Sequence, residues 1–239
     1  MQLLDMHCHV LPGIDDGANS MKMSCKMLHM FQRQGGQAVI ATPHSSMKFS
    51  STPEEIRNLC GKAEKRFYGL SGYAMRIYPG QEIFYRDSVI KELEEGKLLT
   101  LADSAYVLVE FLPETAYSVI AKAARQFAGS GYWMVLAHAE RYSCIRKEKY
   151  LDELLHLGVY IQINARTVGG NWYDSSTRWC RKVLKERKAH FISSDMHNTR
   201  ERKPEFSRAL EWMQKNLKET NTEEICWINT RKLIDNQKI

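Results

Sequence analysis

Seven apolar stretches of strand length recur along the chain, separated by segments of helical period, and this alternation constrains the fold more than any other feature. Strands are expected at residues 3–6, 38–41, 75–78, 106–109, 133–137, 159–163 and 190–192, with amphipathic helices between them at 21–33, 85–95, 115–128, 150–157, 177–187 and 206–217. One helix announces its own start: Thr52 precedes Pro53 and is followed three residues on by Glu55, a capping box with proline at the first helical position. Ile56, Leu59, Cys60, Ala63 and Phe67 then share one face. Strands alternating with helices imply a parallel sheet. Seven such units without a linker, repeat or compositional break, in 239 residues, favour one closed or nearly closed α/β barrel occupying residues 1–239 as a single domain.

In parallel α/β folds chemistry gathers at the carboxyl ends of the strands. The first strand delivers His7 and His9, which point to one face because side chains at i and i+2 do so in extended chain. Asp15-Asp16-Gly17 follows in the loop. Later strand ends carry Thr42-Pro43-His44, Gly80-Gln81-Glu82, Val109-Glu110, His138-Ala139-Glu140-Arg141-Tyr142 and Ser194-Asp195-Met196-His197-Asn198; only the sixth, Gln162-Ile163-Asn164, lacks a histidine or carboxylate. Charged and imidazole groups rarely collect at one end of a core without a metal to neutralise them. Mixed nitrogen and oxygen donors without thiolate suit Mn, Fe, Zn or Mg, and the donors outnumber what one ion needs, so a cluster of two or three ions is expected.

Other residues read more plainly. The six cysteines form no C-x-x-C pair and fit buried positions of a reducing cytosol; Cys8 points away from its flanking histidines. Cys60-Gly61-Lys62-Ala63-Glu64-Lys65-Arg66 spells C-x5-R, the spacing of cysteine-based phosphatases, but Cys60 falls in mid-helix on the apolar face. No strand-to-helix anion cradle surrounds it. His29, His156 and His190 read as ordinary surface or core residues, and Met23, Met27 and Met30 as a core-facing stripe. Asp15 is expected to be a loop or supporting residue, and Glu140 to face outward or pair with a neighbouring arginine. The net charge of +6 is dispersed and permits an anionic partner without specifying nucleic acid. With no run of transmembrane length, a cytoplasmic protein without membrane insertion is expected.

The strand-end segments, from Asp5-Met6-His7-Cys8-His9 through Thr42-Pro43-His44, Gly80-Gln81-Glu82 and His138-Ala139-Glu140-Arg141-Tyr142 to Ser194-Asp195-Met196-His197-Asn198, together resemble the motifs of the PHP (polymerase and histidinol phosphatase) superfamily. Within it they are similar to the manganese-dependent tyrosine phosphatases of bacterial capsule and exopolysaccharide operons, the CpsB/YwqE type. Ala139 departs from the bulkier residue or proline expected there. The resemblance implies a distorted seven-stranded β/α (TIM-like) barrel holding three divalent ions, manganese first, with Fe, Zn or Mg as alternatives. One ion would take His7, His9, Glu82 and Asp195; a second would share Glu82 and add Glu110 and His138; a third would use Asp16, His44 and His197. Arg141 and Arg202 match arginines that hold phosphate in this group, with Arg200 two residues away from the second. Asp195 is a further candidate for proton transfer.

The implied activity is hydrolysis of phosphotyrosine by metal-activated hydroxide, without a phosphoenzyme, on the tail of a bacterial tyrosine kinase. A phenol leaving group, with a pKa of about 10, needs little general-acid help. The absence of long insertions leaves a mouth open enough for a peptide. A small-molecule phosphomonoesterase such as histidinol-phosphate phosphatase is the alternative; a catalytically silent module would be expected to have lost ligands, and a nuclease would need a contiguous basic groove.

Overall fold

The computed structural model describes residues 1–239. Nine strands form the sheet, with helices between all but β2 and β3 and β4 and β5: β1 Leu3–Cys8, β2 Gly36–Ala41, β3 His44–Ser45, β4 Arg76–Pro79, β5 Glu82–Phe84, β6 Tyr106–Glu110, β7 Trp133–Leu136, β8 Tyr160–Asn164 and β9 Phe191–Ser193. Every pair is parallel, in a three-stranded piece ordered β1-β2-β4 and a six-stranded piece ordered β3-β5-β6-β7-β8-β9. The sheet curls so that its last strand reaches its first: Asp195 donates its N–H to the His7 carbonyl and His9 donates to that of Met196, both at 2.9 Å. Asp5 reinforces this seam by accepting from the Ser194 amide and hydroxyl.

The seven uninterrupted strands expected from periodicity are therefore replaced by nine in a curled parallel sheet, and the second and third account for the difference. Pro43, which has no N–H to donate, separates β2 from β3, just after the Thr42 amide makes the last ladder bond to the Cys8 carbonyl. Between β4 and β5 lies Gly80, where a Cβ would come within 2.9 Å of Ile40 Cγ2. Both breaks carry the chain to a ligand-type residue, His44 and Glu82, which sit in register in the β3–β5 pair.

Two apolar shells follow. Met6, Ile40, Leu108, Val135, Tyr160 and Phe191 belong to a cluster from successive strands that lies inside the curl. A larger cluster of 53 buried residues joins the outer face of the sheet to the helices. The inner shell is closed at the amino ends of the strands by the C-terminal segment, where Tyr106 donates to the Gln237 carbonyl at 2.9 Å and Leu233 is fully buried. The opposite, carboxyl end is left for polar groups.

Helix Pro53–Ser71 begins as its capping sequence requires, with Thr52 Oγ1 accepting from the Glu55 amide at 3.2 Å. The helix expected over 85–95 is shortened to Val89–Glu94, because the Tyr85 amide still bonds the Glu110 carbonyl and so continues the strand ladder. Short helices at Ala165–Val168, Glu219–Glu223 and Asn229–Ile234, too brief to show periodicity, add to those expected. No helix is long and apolar enough to cross a membrane.

Candidate active site

The bulge in β1 aims the first two histidines. Asp5 and Cys8 pair with Val39 and Ala41, so three steps along β1 match two along β2, and the extra residue reverses which face the following side chains take. Met6 thus joins the inner apolar shell while His7 and His9, just above it, also face inward. Cys8 packs in the outer cluster, fully buried, as its position between them implies.

Glu82 is the hub. Its buried carboxylate places Oε2 3.3 Å from His7 Nε2, 3.2 Å from His9 Nε2 and 3.1 Å from His44 Nδ1, and Oε1 2.8 Å from His138 Nε2. Glu110 lies 3.2 Å from His44 Nδ1 and 3.6 Å from His138 Nε2. Asp195 Oδ1 is 3.6 Å from both His7 and His9 Nε2. Asp16, half exposed, lies 3.3 Å from His44 Nε2 and 3.5 Å from His197 Nε2. All nine residues proposed as ligands from sequence therefore converge on one end of the sheet, although they are up to 190 positions apart (197 − 7).

The donors fall into three overlapping sets with atoms close enough to share an ion: His7, His9 and Asp195; His44, Glu82 and Glu110; and His9, Asp16, His44 and His197. These sets differ from the expected grouping in placing His9 also beside Asp16, and His44 beside Glu82 and Glu110. His138 meets only the two glutamates.

The donor chemistry fits divalent cations. His197 Nε2 is buried without a hydrogen-bond partner, facing Asp16. Four carboxylates and five imidazoles, none replaced by thiolate, form the cluster. The carboxylates favour the charged form of the imidazoles beside them. Burial disfavours the charged form of His9, yet hydrogen bonds to Asp15 and Glu82 lift it to about 9. His138 reaches about 9, its burial outweighed by Glu110 and Glu82, and His44 about 12, its burial outweighed by Asp16, Glu110 and Glu82. Asp195 stays well below the usual carboxylate range: burial opposes its charge, but His7, His138 and Arg141 outweigh that.

Two guanidinium groups border the cluster. Arg141 Nη2 donates to Asp195 Oδ2 at 2.6 Å, and Arg202 Nη2 to Oδ1 at 2.9 Å. Arg200 does not share this position: it is exposed, and its amide bonds Asn198 Oδ1. The same Asn198 oxygen accepts from the Arg202 amide, folding the loop so that Arg202 turns inward. His138 and Asp195, at the ends of β7 and β9, adopt φ of +32° and +51°, left-handed conformations uncommon outside glycine.

Several supporting residues escape a search for histidine and carboxylate. Asp15 Oδ2 lies 2.7 Å from His9 Nδ1, fixing which ring nitrogen faces Glu82, and also accepts from the His44 amide. This is the supporting role expected of it. The sixth strand end, without a charged group, supplies an amide chain. Gln162 Oε1 meets His7 Nδ1 at 3.1 Å, its Nε2 donates to Asn164 Oδ1, and Asn164 Nδ2 donates to Asp195 Oδ2 at 3.1 Å. The available signal was period two, Gln162 and Asn164 sharing the inward face as His7 and His9 do. Glu140 corrects an expectation. It is buried, neither outward-facing nor ion-paired, with Oε1 accepting from the Asn164 amide and the Thr167 hydroxyl. Arg146 bonds the Glu140 backbone carbonyl instead of its carboxylate. Cys60 is buried in its helix, and burial pushes its thiol up to about 12, which removes it as a nucleophile.

A family model described as "Capsular polysaccharide synthesis, CpsB/CapC" matches residues 3–235. The chain is 30% identical over 249 aligned residues to tyrosine-protein phosphatase CpsB of Streptococcus pneumoniae, covering 99% of this chain and 100% of that one. It is 30% identical over 215 residues to tyrosine-protein phosphatase YwqE of Bacillus subtilis, covering 89% and 84%. A crystal structure from work on YwqE of B. subtilis and CpsB of S. pneumoniae, described as unique metal-dependent tyrosine phosphatases, superimposes with a TM-score of 0.90 at 29% identity, covering 99% of this chain and 96% of that one. A phosphotriesterase homology protein of Escherichia coli shares the fold alone, at a TM-score of 0.59 and 11% identity.

Proposed function

This chain belongs to the CpsB/CapC family of capsular polysaccharide synthesis, and from that premise we infer that it is a metal-dependent tyrosine phosphatase releasing phosphate from phosphotyrosine in a protein. The observation that carries the reading is the pair of guanidinium groups, Arg141 and Arg202, held by one carboxylate at the edge of a histidine and carboxylate cluster. An incoming phosphoryl group offers the same paired acceptors as Asp195 does, so both arginines can turn to it with little movement.

The finer reading has three divalent ions, manganese first, held by His7, His9, Glu82 and Asp195; by Glu82, Glu110 and His138; and by Asp16, His44 and His197. When bound, such ions generate a nucleophile from water near neutral pH and neutralise phosphoryl charge. The chain's own groups do the rest. Glu82, central to the cluster, spans the first two sets. Arg141 and Arg202 orient the phosphoryl oxygens and stabilise the charge that builds on them. Asp195, besides holding an ion, would relay a proton from the attacking water once substrate draws the arginines away. The phenol leaves as a weak base, and no side-chain nucleophile is required. Residues 1–239 act as one domain, in which β2 with β3 and β4 with β5 count as single interrupted tracks of a distorted seven-stranded barrel. The substrate is the tail of a tyrosine kinase that controls capsule or exopolysaccharide assembly, and the enzyme works in the cytoplasm.

The test strips the enzyme with chelator and reloads it with Mn, Fe, Zn or Mg, then compares a phosphotyrosine peptide, histidinol phosphate and a phosphodiester. Metal-dependent phosphate release is expected from the peptide above the others. Preference for histidinol phosphate, or release undiminished by chelation, would overturn the reading.

A further inference from the structure

On the outside of the molecule, helices Met21–Gln32 and Pro53–Ser71 pack beside each other and leave a groove of ≈ 1130 Å³ between them. Cys25 and Phe67, both buried, floor it, and its accessible apolar surface comes from the partly buried Met21 and Met30 and from Leu70, 59% exposed. Lys22, Lys26 and Arg66 line it, with no carboxylate among the lining residues. Nor does the first helix supply one, since residues 21–32 contain no acid. On the second helix, Glu64 is engaged elsewhere, by Arg76 and the Ile77 amide.

This charge placement works against the fold. Lys22 stands in the first turn of its helix, where the helix dipole already presents positive charge. Lys22 and Lys26, four residues apart, face each other along the same side. A ligand carrying negative charge relieves both. The shape selects among such ligands. The apolar surface is recessed between two helices rather than projecting, which suits an inserted helix better than a flat bilayer. The 12-residue first helix, ~18 Å long at ~1.5 Å per residue, matches three to four turns of a partner. A second copy of the same basic face would be repelled.

We propose that this groove docks an acidic amphipathic helix of a partner protein, its apolar side chains resting on Met21, Met30 and Leu70 and its carboxylates paired with Lys22, Lys26 and Arg66. Thr199, in the loop that carries His197 and Arg202, also lines the groove, whereas none of the cluster residues does.

The experiment measures fluorescence anisotropy of a labelled peptide of ~18 residues with leucine on one helical face and glutamate on the other. The full-length enzyme is expected to bind it with affinity falling as salt rises, and to bind a lysine-for-glutamate version much more weakly. Lys26→Glu with Arg66→Glu should weaken binding at least ~10-fold, as should Leu70→Asp, while hydrolysis of a small aryl phosphate stays unchanged. Lys26→Glu alone should raise the thermal midpoint by relieving the repulsion with Lys22. Equal binding of the two peptides, or binding unaffected by the charge reversals, overturns the proposal. So does loss of binding to phosphatidylglycerol vesicles in the variants without any peptide binding, which would make the face a membrane surface. Conversion of a dimer to a monomer by the same changes would assign it to a second copy and likewise overturn the proposal.

Discussion

Asp15 illustrates how a residue outside the donor set governs it. With Oδ2 2.7 Å from His9 Nδ1, it holds the ring so that Nε2 faces Glu82. Asp15→Ala should lower metal affinity by ~10- to 100-fold, the usual loss when such a support is removed, with the far-ultraviolet spectrum unchanged. Titrating manganese into chelated protein measures it, and unaltered affinity would show that His9 needs no such brace. Gly17 acts through space alone: a Cβ there would lie 2.2 Å from the His9 carbonyl oxygen, so Gly17→Ala should displace the same ring. The protons that His9 and His138 retain up to about 9 must leave before an imidazole can bind metal. Apparent affinity should therefore rise as pH increases from 6 to 9, with protons released on loading; calorimetry in buffers of different ionisation enthalpy counts them, and a pH-independent affinity would contradict it. Arg141→Ala should reduce kcat/KM for a phosphotyrosine peptide by ~10²-fold with metal content preserved. At this scale His7 and His9 were legible because period two is a local rule. Glu140 was not, because its partners, Asn164 and Thr167, lie on a different element.

Elements show where local pattern stops being enough. Strand positions were legible from apolar runs, yet the breaks at Pro43 and Gly80 arise from what neighbouring elements permit, and Gly80 is needed because Ile40 and Leu101 pack against it. Strand β8 ends without charge but braces two sides of the site through Gln162 and Asn164. Asn164→Ala should loosen Asp195 and raise KM more than it lowers kcat, since Asp195 Oδ2 would keep Arg141 as its partner but lose the amide. Helix Pro53–Ser71 carries the opposite lesson, a motif without chemistry. Cys60→Ser should leave turnover within about twofold and lower stability by ~1 kcal/mol for a buried polar substitution. Loss of turnover in a folded, metal-loaded Cys60→Ser protein would falsify the metal mechanism.

The whole molecule is held by the seam between β1 and the segment after β9, and it is there that the first and last donors meet. Ions held by donors on both sides of that seam would stabilise the folded chain by mass action, so chelation should lower the thermal midpoint and re-addition restore it. A second global effect comes from His190, whose Nδ1 accepts from the Ile161 amide at 3.0 Å and is therefore unprotonated. Burial pulls its pKa down from 6.5 to about 4. The unfolded chain thus binds the extra proton between those values, so stability is fully present above 6.5 and declines as pH falls toward 4. At ~1.4 kcal/mol per unit the loss is at most about 3.5 kcal/mol. Urea unfolding of the native protein and His190→Gln at pH 7 and 5 isolates it, and identical pH dependence would remove His190 as the cause.

By itself the sequence determined the alternation of strands and helices and the end of the sheet where histidines and carboxylates collect, because periodicity and strand ends are written within a few adjacent positions; the choice of nine among those groups came from the family resemblance. Only the tertiary structure decided how the donors group around Glu82, that Arg202 rather than Arg200 turns to Asp195, and that Asp15, Gln162 and Asn164 support the arrangement. Those are distances between side chains on different strands, set by register, by the bulge in β1 and by the curl that brings residue 195 to residue 7. A linear pattern records which groups are present at each strand end, but which groups touch depends on how the strands pack.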